Sequence, residues 1–292
     1  MALRPQAIEG EAEVTTPSTY GFLAAGVLLS VAFAFWQGRA ANPLLPPRVV
    51  LDRNRGGSYA SLLIASSGMF GIFLFLTYYL QQTPGYSPVV TGLAFLPVAG
   101  GIAAAANLSA IVAMPRVGPK PLVGAGMLVA AGAMIWFTRL GVHTGYVDGV
   151  LGPLILTGIG LGMVIAPSIS TGTFGVMPED AGVASASVTV GQQLGASIGT
   201  SLLNTIFASA VAAYVTAHAA SARTLGRQAL TGLALAHGYD TAFWWTAAIF
   251  AVGAVICGSL LRRGPLNAKD APAPQVAGAS SAGTEAGRSI SA

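Results

Sequence analysis

Charge is scarce in this chain. Only 14 Lys and Arg and 10 Asp and Glu occur in 292 residues, or 8%, where a soluble domain carries about a quarter. Each of them falls in a terminus, a connection or a span end, so the apolar stretches between have uncharged interiors. With hydrophobic residues at 53% and a mean hydropathy of +0.68, a soluble globular fold is excluded. Cysteine occurs once, at Cys257, so one chain builds neither a disulfide nor a thiolate metal cluster. His143, His218 and His237 lie in or beside connections with no ligand spacing, and no metal or cofactor is expected. No intramembrane carboxylate pair and no Ser/His dyad occurs, so no catalytic residues are assigned and no enzyme is expected. The basic residues form no patch interleaved with aromatics, which argues against a nucleic-acid partner.

What is present is length. Seven apolar stretches run over Thr19–Trp36, Gly57–Gln81, Pro88–Ala113, Pro121–Thr138, Gly149–Phe174, Val183–Tyr214 and Thr241–Leu261. Most reach the ~20 residues that a bilayer-spanning helix needs, and lipid leaves such runs no option but to close their hydrogen bonds internally. The expected fold is all-α, a polytopic transmembrane helical bundle of about seven spans with the lipid bilayer as its surroundings. With seven spans, ten of the Lys and Arg residues fall on one side, among them Arg39, Arg53, Arg116, Lys120 and Arg263, and four on the other, Arg4, Arg139, Arg223 and Arg227. The positive-inside rule makes the ten-residue side cytoplasmic and places the C-terminus there. A polar segment over 1–18, a spanning helix over 19–36, a basic connection over 37–56, a six-helix unit over 57–263 and a disordered cytoplasmic tail over 264–292 complete the expected organisation. Six spans are the size of one half of a transporter built from repeated halves, and the chain reads as the back part of a longer protein.

The run Tyr79-Leu80-Gln81-Gln82-Thr83-Pro84-Gly85-Tyr86-Ser87-Pro88, continuing through Gly92-Leu93 to Leu96-Pro97, resembles a helix junction of the fourteen-helix drug:proton antiporters of the major facilitator superfamily. Three further segments resemble that family in order and spacing: Asn42–Pro46, Arg116–Lys120, and Asp180–Ser185 leading into Gly191-Gln192-Gln193-Leu194-Gly195. The resemblance covers Thr19–Arg263. It implies the second of two linker helices followed by the C-terminal six-helix half, with an N-terminal six-helix domain as missing partner. The implied function is proton-coupled export of drugs or other small amphipathic substrates by alternating access, in the cell membrane. No Asp, Glu, His, Lys or Arg lies deep in these spans, so the coupling carboxylates of such an antiporter would belong to the other half. A different class, a non-transporting membrane module that binds or regulates full-length relatives, fits the same spans.

The sixth span is the most differentiated. At about 100° per residue, Ser185, Thr189, Gln192, Gln193, Thr200 and Asn204 share one face, Gly191, Gly195 and Gly199 form a stripe, and Val190, Leu194 and Ile198 face away. The glycine stripe is a small-xxx-small pattern that suits close helix packing. The polar face fits two roles, interhelical hydrogen bonding and lining of a substrate cavity, and two adjacent amides in hydrocarbon demand one of them. Asn107 and Ser67, beside Ser66, are further cavity candidates. The Gly-Pro turn at Gly118 and Pro119 sets Arg116 and Lys120 at the cytoplasmic surface, as a gating loop or as a topological anchor. Phe243, Trp244 and Trp245 read as an interfacial anchor at the outer end of the last span.

Overall fold

The computed structural model describes residues 17–39, 47–83, 85–141, 144–219, 226–261 and 264. Most of the polar segment over 1–18, part of the basic connection and nearly all of the tail lie outside them. The described residues form α-helices α1 (Pro17–Arg39), α2 (Arg53–Gln82), α3 (Pro88–Val117), α4 (Pro119–Phe137), α5 (Tyr146–Thr173), α6 (Pro178–Ala217) and α7 (Arg227–Leu260). Among the described residues, six helices are long and apolar enough to cross a membrane, and they correspond to α2 to α7. The 23-residue α1 is apolar too, with Val27, Leu28, Val31, Phe35 and Trp36 all exposed. A helix whose described apolar side chains are exposed in this way is one that lipid must cover.

Proline and capping residues set the boundaries. Asp52 opens α2 by accepting from the backbone N–H groups of Asn54 (3.1 Å) and Arg55 (3.0 Å). Ser87 caps α3, with Pro88 following where a missing N–H costs nothing. The helix is interrupted by a turn at Phe95, two residues before Pro97, and widens into a π-turn over Ser109–Ala113 ahead of Pro115. Gly118 separates α3 from α4 with φ of 78°, a left-handed conformation that glycine alone adopts without strain. In α5, Pro167 returns no N–H to Met163, and the buried hydroxyls of Ser168 and Thr171 have no hydrogen-bond partner. That half of α5 is the least well satisfied stretch of the bundle's interior.

The bundle is built around α2, which packs against α5, α6 and α7, while α3 packs on α5, α5 on α4, α4 on α7 and α6 on α7. Close approaches fix the register. Gly158 and Gly162 of α5 lie against the backbone of α3 at Val98 and Ile102, and Gly126 of α4 meets the carbonyl of Gly160. These glycines are packing contacts. Phe137 of α4 stacks on Phe243 of α7 at 5.1 Å, and Phe75 of α2 meets Phe207 of α6 at 5.3 Å. Arg53 at the start of α2 donates to the carbonyls of Ser259 (2.5 Å) and Leu260 (2.9 Å), a positive charge capping the C-terminal end of α7.

Two sequence expectations change. The connection read over Tyr214–Asp240 is largely helical among the described residues, because α6 continues to Ala217 and α7 starts at Arg227. Packing extends the pair: Gly238 sits against Val211 and Phe207, and Phe207 meets Tyr239 at 5.1 Å. At 40 and 34 residues these helices are ~50 Å or more long, well beyond a ~30 Å hydrocarbon core. In consequence Phe243, Trp244 and Trp245 lie near the middle of α7, with Phe243 fully buried and only the two tryptophans exposed. Phe243 is therefore a core residue and not an interfacial anchor.

Candidate functional site

An open groove of about 760 Å³ is framed by α2, α5 and α6, at mid-length along each of the two longest walls. Ser66, Met69 and Phe70 come from α2, Ile165 from α5, and Gln192, Gln193, Ala196, Ser197, Thr200 and Ser201 from α6. The volume lies within the range of small-molecule sites, roughly 300–1,000 Å³. No lining residue is ionisable.

The register between α2 and α6 creates this wall. The two helices run parallel, and Gly191, Gly195 and Gly199 face Tyr59, Leu63 and Ser67 of α2 in four-residue steps. The hydroxyl of Ser67 donates to the carbonyls of Leu63 (2.9 Å) and Gly195 (2.8 Å), which pins the contact at its centre. With the glycine stripe buried against α2, the opposite side of α6 is left open, carrying Gln193, Ser197 and Ser201. Below the groove, Tyr59, Leu62 and Val188 cluster with Ile165, and the Tyr59 hydroxyl donates to the carbonyl of Gly172 at 2.9 Å. That cluster ties α2, α5 and α6 together and closes the groove toward the end of the bundle that holds Asp52 and Arg55.

Of the cavity candidates named from sequence, Gln192 and Gln193 line the groove together with Ser66, the neighbour of Ser67. Ser67 itself is 5% exposed and sits in the α2–α6 contact. Asn107 is exposed on α3 and donates to its own helix, to the carbonyl of Ala103 at 2.8 Å. Thr189 and Asn204 are exposed on α6 outside the groove lining, with the Thr189 hydroxyl directed to the carbonyl of Ser185. Met69, Ser197 and Ser201 emerge only from the structure. Phe70 is the aromatic residue of α2 at the groove, whereas Phe75 and Tyr79 are buried and Phe73 stacks on Phe95 at 4.7 Å. In the Gly-Pro turn, Arg116 donates to the carbonyl of Val112 at 2.6 Å, capping the last turn of α3, while Gly118 and Pro119 are buried and Lys120 is half-buried. No group of three His, Cys, Asp or Glu suited to a metal ion occurs among the described residues.

A family model described as Major Facilitator Superfamily matches residues 12–200. The puromycin resistance protein pur8 of Streptomyces alboniger is 39% identical over 255 residues, covering 87% of this chain and 50% of that protein. The cephamycin export protein CmcT of Amycolatopsis lactamdurans is 34% identical over 198 residues, covering 68% and 40%. A tetracenomycin C resistance and export protein of Streptomyces glaucescens is 36% identical over 201 residues, covering 66% and 36%. The chain thus spans half or less of the length of these curated relatives.

Proposed function

Because the chain belongs to the major facilitator superfamily, we propose that α2 to α7 form the C-terminal half of an exporter of antibiotics or other amphipathic compounds, with the groove as one wall of its translocation pathway. The observation that carries this reading is the groove itself, mid-length in the bundle and uncharged where hydrocarbon would otherwise meet unpartnered amides. Its open side is suited to face a second six-helix unit across the pathway, in line with the length of relatives described as resistance or export proteins. The other half would supply the titratable group that proton coupling requires, since the groove has none.

The test is puromycin resistance, the property in the name of the 39% identical relative. Expression of this chain with the N-terminal half of that relative is expected to give resistance and pH-gradient-dependent puromycin efflux from vesicles, and each half alone neither. Proton-driven export by this polypeptide alone would overturn the half-transporter reading. Failure of the pair to export puromycin, cephamycin or tetracenomycin C would remove the exporter assignment.

Orientation follows from the same reading. The start of α2 and the end of α7 share one end of the bundle, held together by Arg53, and that end carries the excess of basic residues. Reporter fusions at Gly264 are expected to behave as cytoplasmic and fusions at Arg223, which lies outside the described residues, as external. A cytoplasmic signal at Arg223 would reverse the arrangement.

A further inference from the structure

The chemistry of the groove points beyond amphipathic substrates in general. We propose that it selects molecules whose part lying against this wall is uncharged and carries several hydrogen-bonding oxygens along one edge of an apolar skeleton, and that Gln193, Ser197, Thr200 and Ser201 read that edge. The inference rests on the groove being a substrate wall.

The two sides of the groove differ in kind. Met69, Phe70 and Ile165 present thioether, ring and aliphatic surface, whereas α6 presents amides and hydroxyls. The polar side belongs to a longer pattern: every fourth residue of α6 from Ser185 to Ser209 is Ser, Thr or Gln, and each is exposed. Four residues of helix rise ~6 Å, so this row offers a hydrogen-bonding group at that interval across the depth of a bilayer.

Hydroxyls inside membrane helices ordinarily satisfy themselves by donating to the carbonyl four residues back. The bundle follows this habit at Ser58 (2.9 Å), Thr157 (2.8 Å) and Thr246 (2.7 Å). On α6 itself, Thr189 and Thr205 do the same at the two flanks of the groove. Between those flanks Ser197, Thr200 and Ser201 make no such bond, and the amides of Gln192 and Gln193 have no partner either. Five side chains with free donors and acceptors thus converge on one groove. Hydroxyls and amides each both donate and accept, so together they suit hydroxyl and carbonyl oxygens alike. A cation or anion would find no counter-charge among the lining residues, and would be desolvated without compensation.

The measurement is equilibrium binding of three tritiated probes to the full chain in lipid nanodiscs, each corrected for partition into empty discs. Hydrocortisone and progesterone share a neutral steroid skeleton and differ in hydroxyl groups, while tetraphenylphosphonium is an apolar cation with no hydrogen-bonding group. Hydrocortisone is expected to bind about tenfold or more tighter than progesterone, because a hydrogen-bonding site discriminates strongly against a ligand that leaves it unpaired. The double variant Ser197→Ala with Ser201→Ala is expected to abolish that preference by weakening hydrocortisone far more than progesterone, whose only polar groups are two carbonyl oxygens. Thr200→Val, which keeps side-chain shape, is expected to reduce it in part. Phe70→Ala is expected to weaken both steroids. Tighter binding of progesterone or tetraphenylphosphonium, sensitive to Phe70→Ala but not to the hydroxyl variants, overturns the inference and leaves the groove as a substrate wall. Binding of all three probes unaffected by every variant, or no binding at all, overturns both.

Discussion

Replacing Gly195 with alanine is expected to remove most folded protein from the membrane, whereas the same change at Gly191 is expected to be tolerated. A Cβ at Gly195 would fall onto the backbone of α2, with the carbonyl carbon of Leu63 at 2.8 Å and its Cα at 2.9 Å. At Gly199 it would meet the Ser67 carbonyl oxygen at 2.5 Å and Cβ at 2.7 Å. At Gly191 the nearest atom is the Tyr59 carbonyl oxygen at 3.3 Å. Backbone cannot step aside as a flexible side chain does, so relief at Gly195 means separating α2 from α6 and stretching the Ser67–Gly195 hydrogen bond. Overpacking of this kind costs ~1–3 kcal/mol or more, a large share of a typical folding free energy. Alanine in place of a helical glycine regains about 0.5–1 kcal/mol of propensity, which offsets the mild contact at Gly191 and not the collision at Gly195. Gly195→Leu is expected to be worse than Gly195→Ala. Abundance and thermal stability of a fluorescent fusion in detergent measure the series. An equal loss at all three glycines would show that close approach to α2 is not what these residues provide.

Filling the groove is expected to separate function from folding. Ala196 is half-buried between Gln192 and Thr200 on the groove wall. Ala196→Trp is expected to leave abundance unchanged, because its side chain projects into open volume, while lowering transport by the reassembled exporter about tenfold or more, the scale on which misplaced substrate contacts act. Gln192→Ala and Gln193→Ala remove polar contacts worth roughly 0.6 kcal/mol on average in membrane bundles, so abundance survives and the ranking of substrates shifts a few-fold. Unchanged transport of every substrate in Ala196→Trp would place the pathway elsewhere in the protein.

The glycine stripe and the polar residues of α6 show which features are legible in a sequence. Gly191, Gly195 and Gly199 repeat every fourth residue, a pattern that already suggests close helix packing. Their partner could not be read, because no local property of α2 singles out Tyr59, Leu63 and Ser67 as the surface they meet. Periodicity likewise put Gln192 and Gln193 on one face, yet Ser197 and Ser201 were assigned to none. A row of every fourth residue drifts about 40° round the helix per step, so a fixed angular sector loses it. Ser66 and Ser67 are adjacent and chemically identical, yet one lines the groove and the other bonds Gly195.

The sequence by itself determined that this is an all-α membrane bundle, roughly where most of its helices run and which connections are basic. Those are consequences of local composition: a long uncharged run has one way to satisfy its backbone in lipid, wherever its neighbours lie. Only the tertiary structure decided how far α6 and α7 extend, which aromatic residues enter the core and which polar groups share the groove. Those depend on helix register, set here by backbone contacts at a few glycines between segments that lie tens of residues to more than a hundred residues apart, and no local pattern in either segment encodes the other's phase.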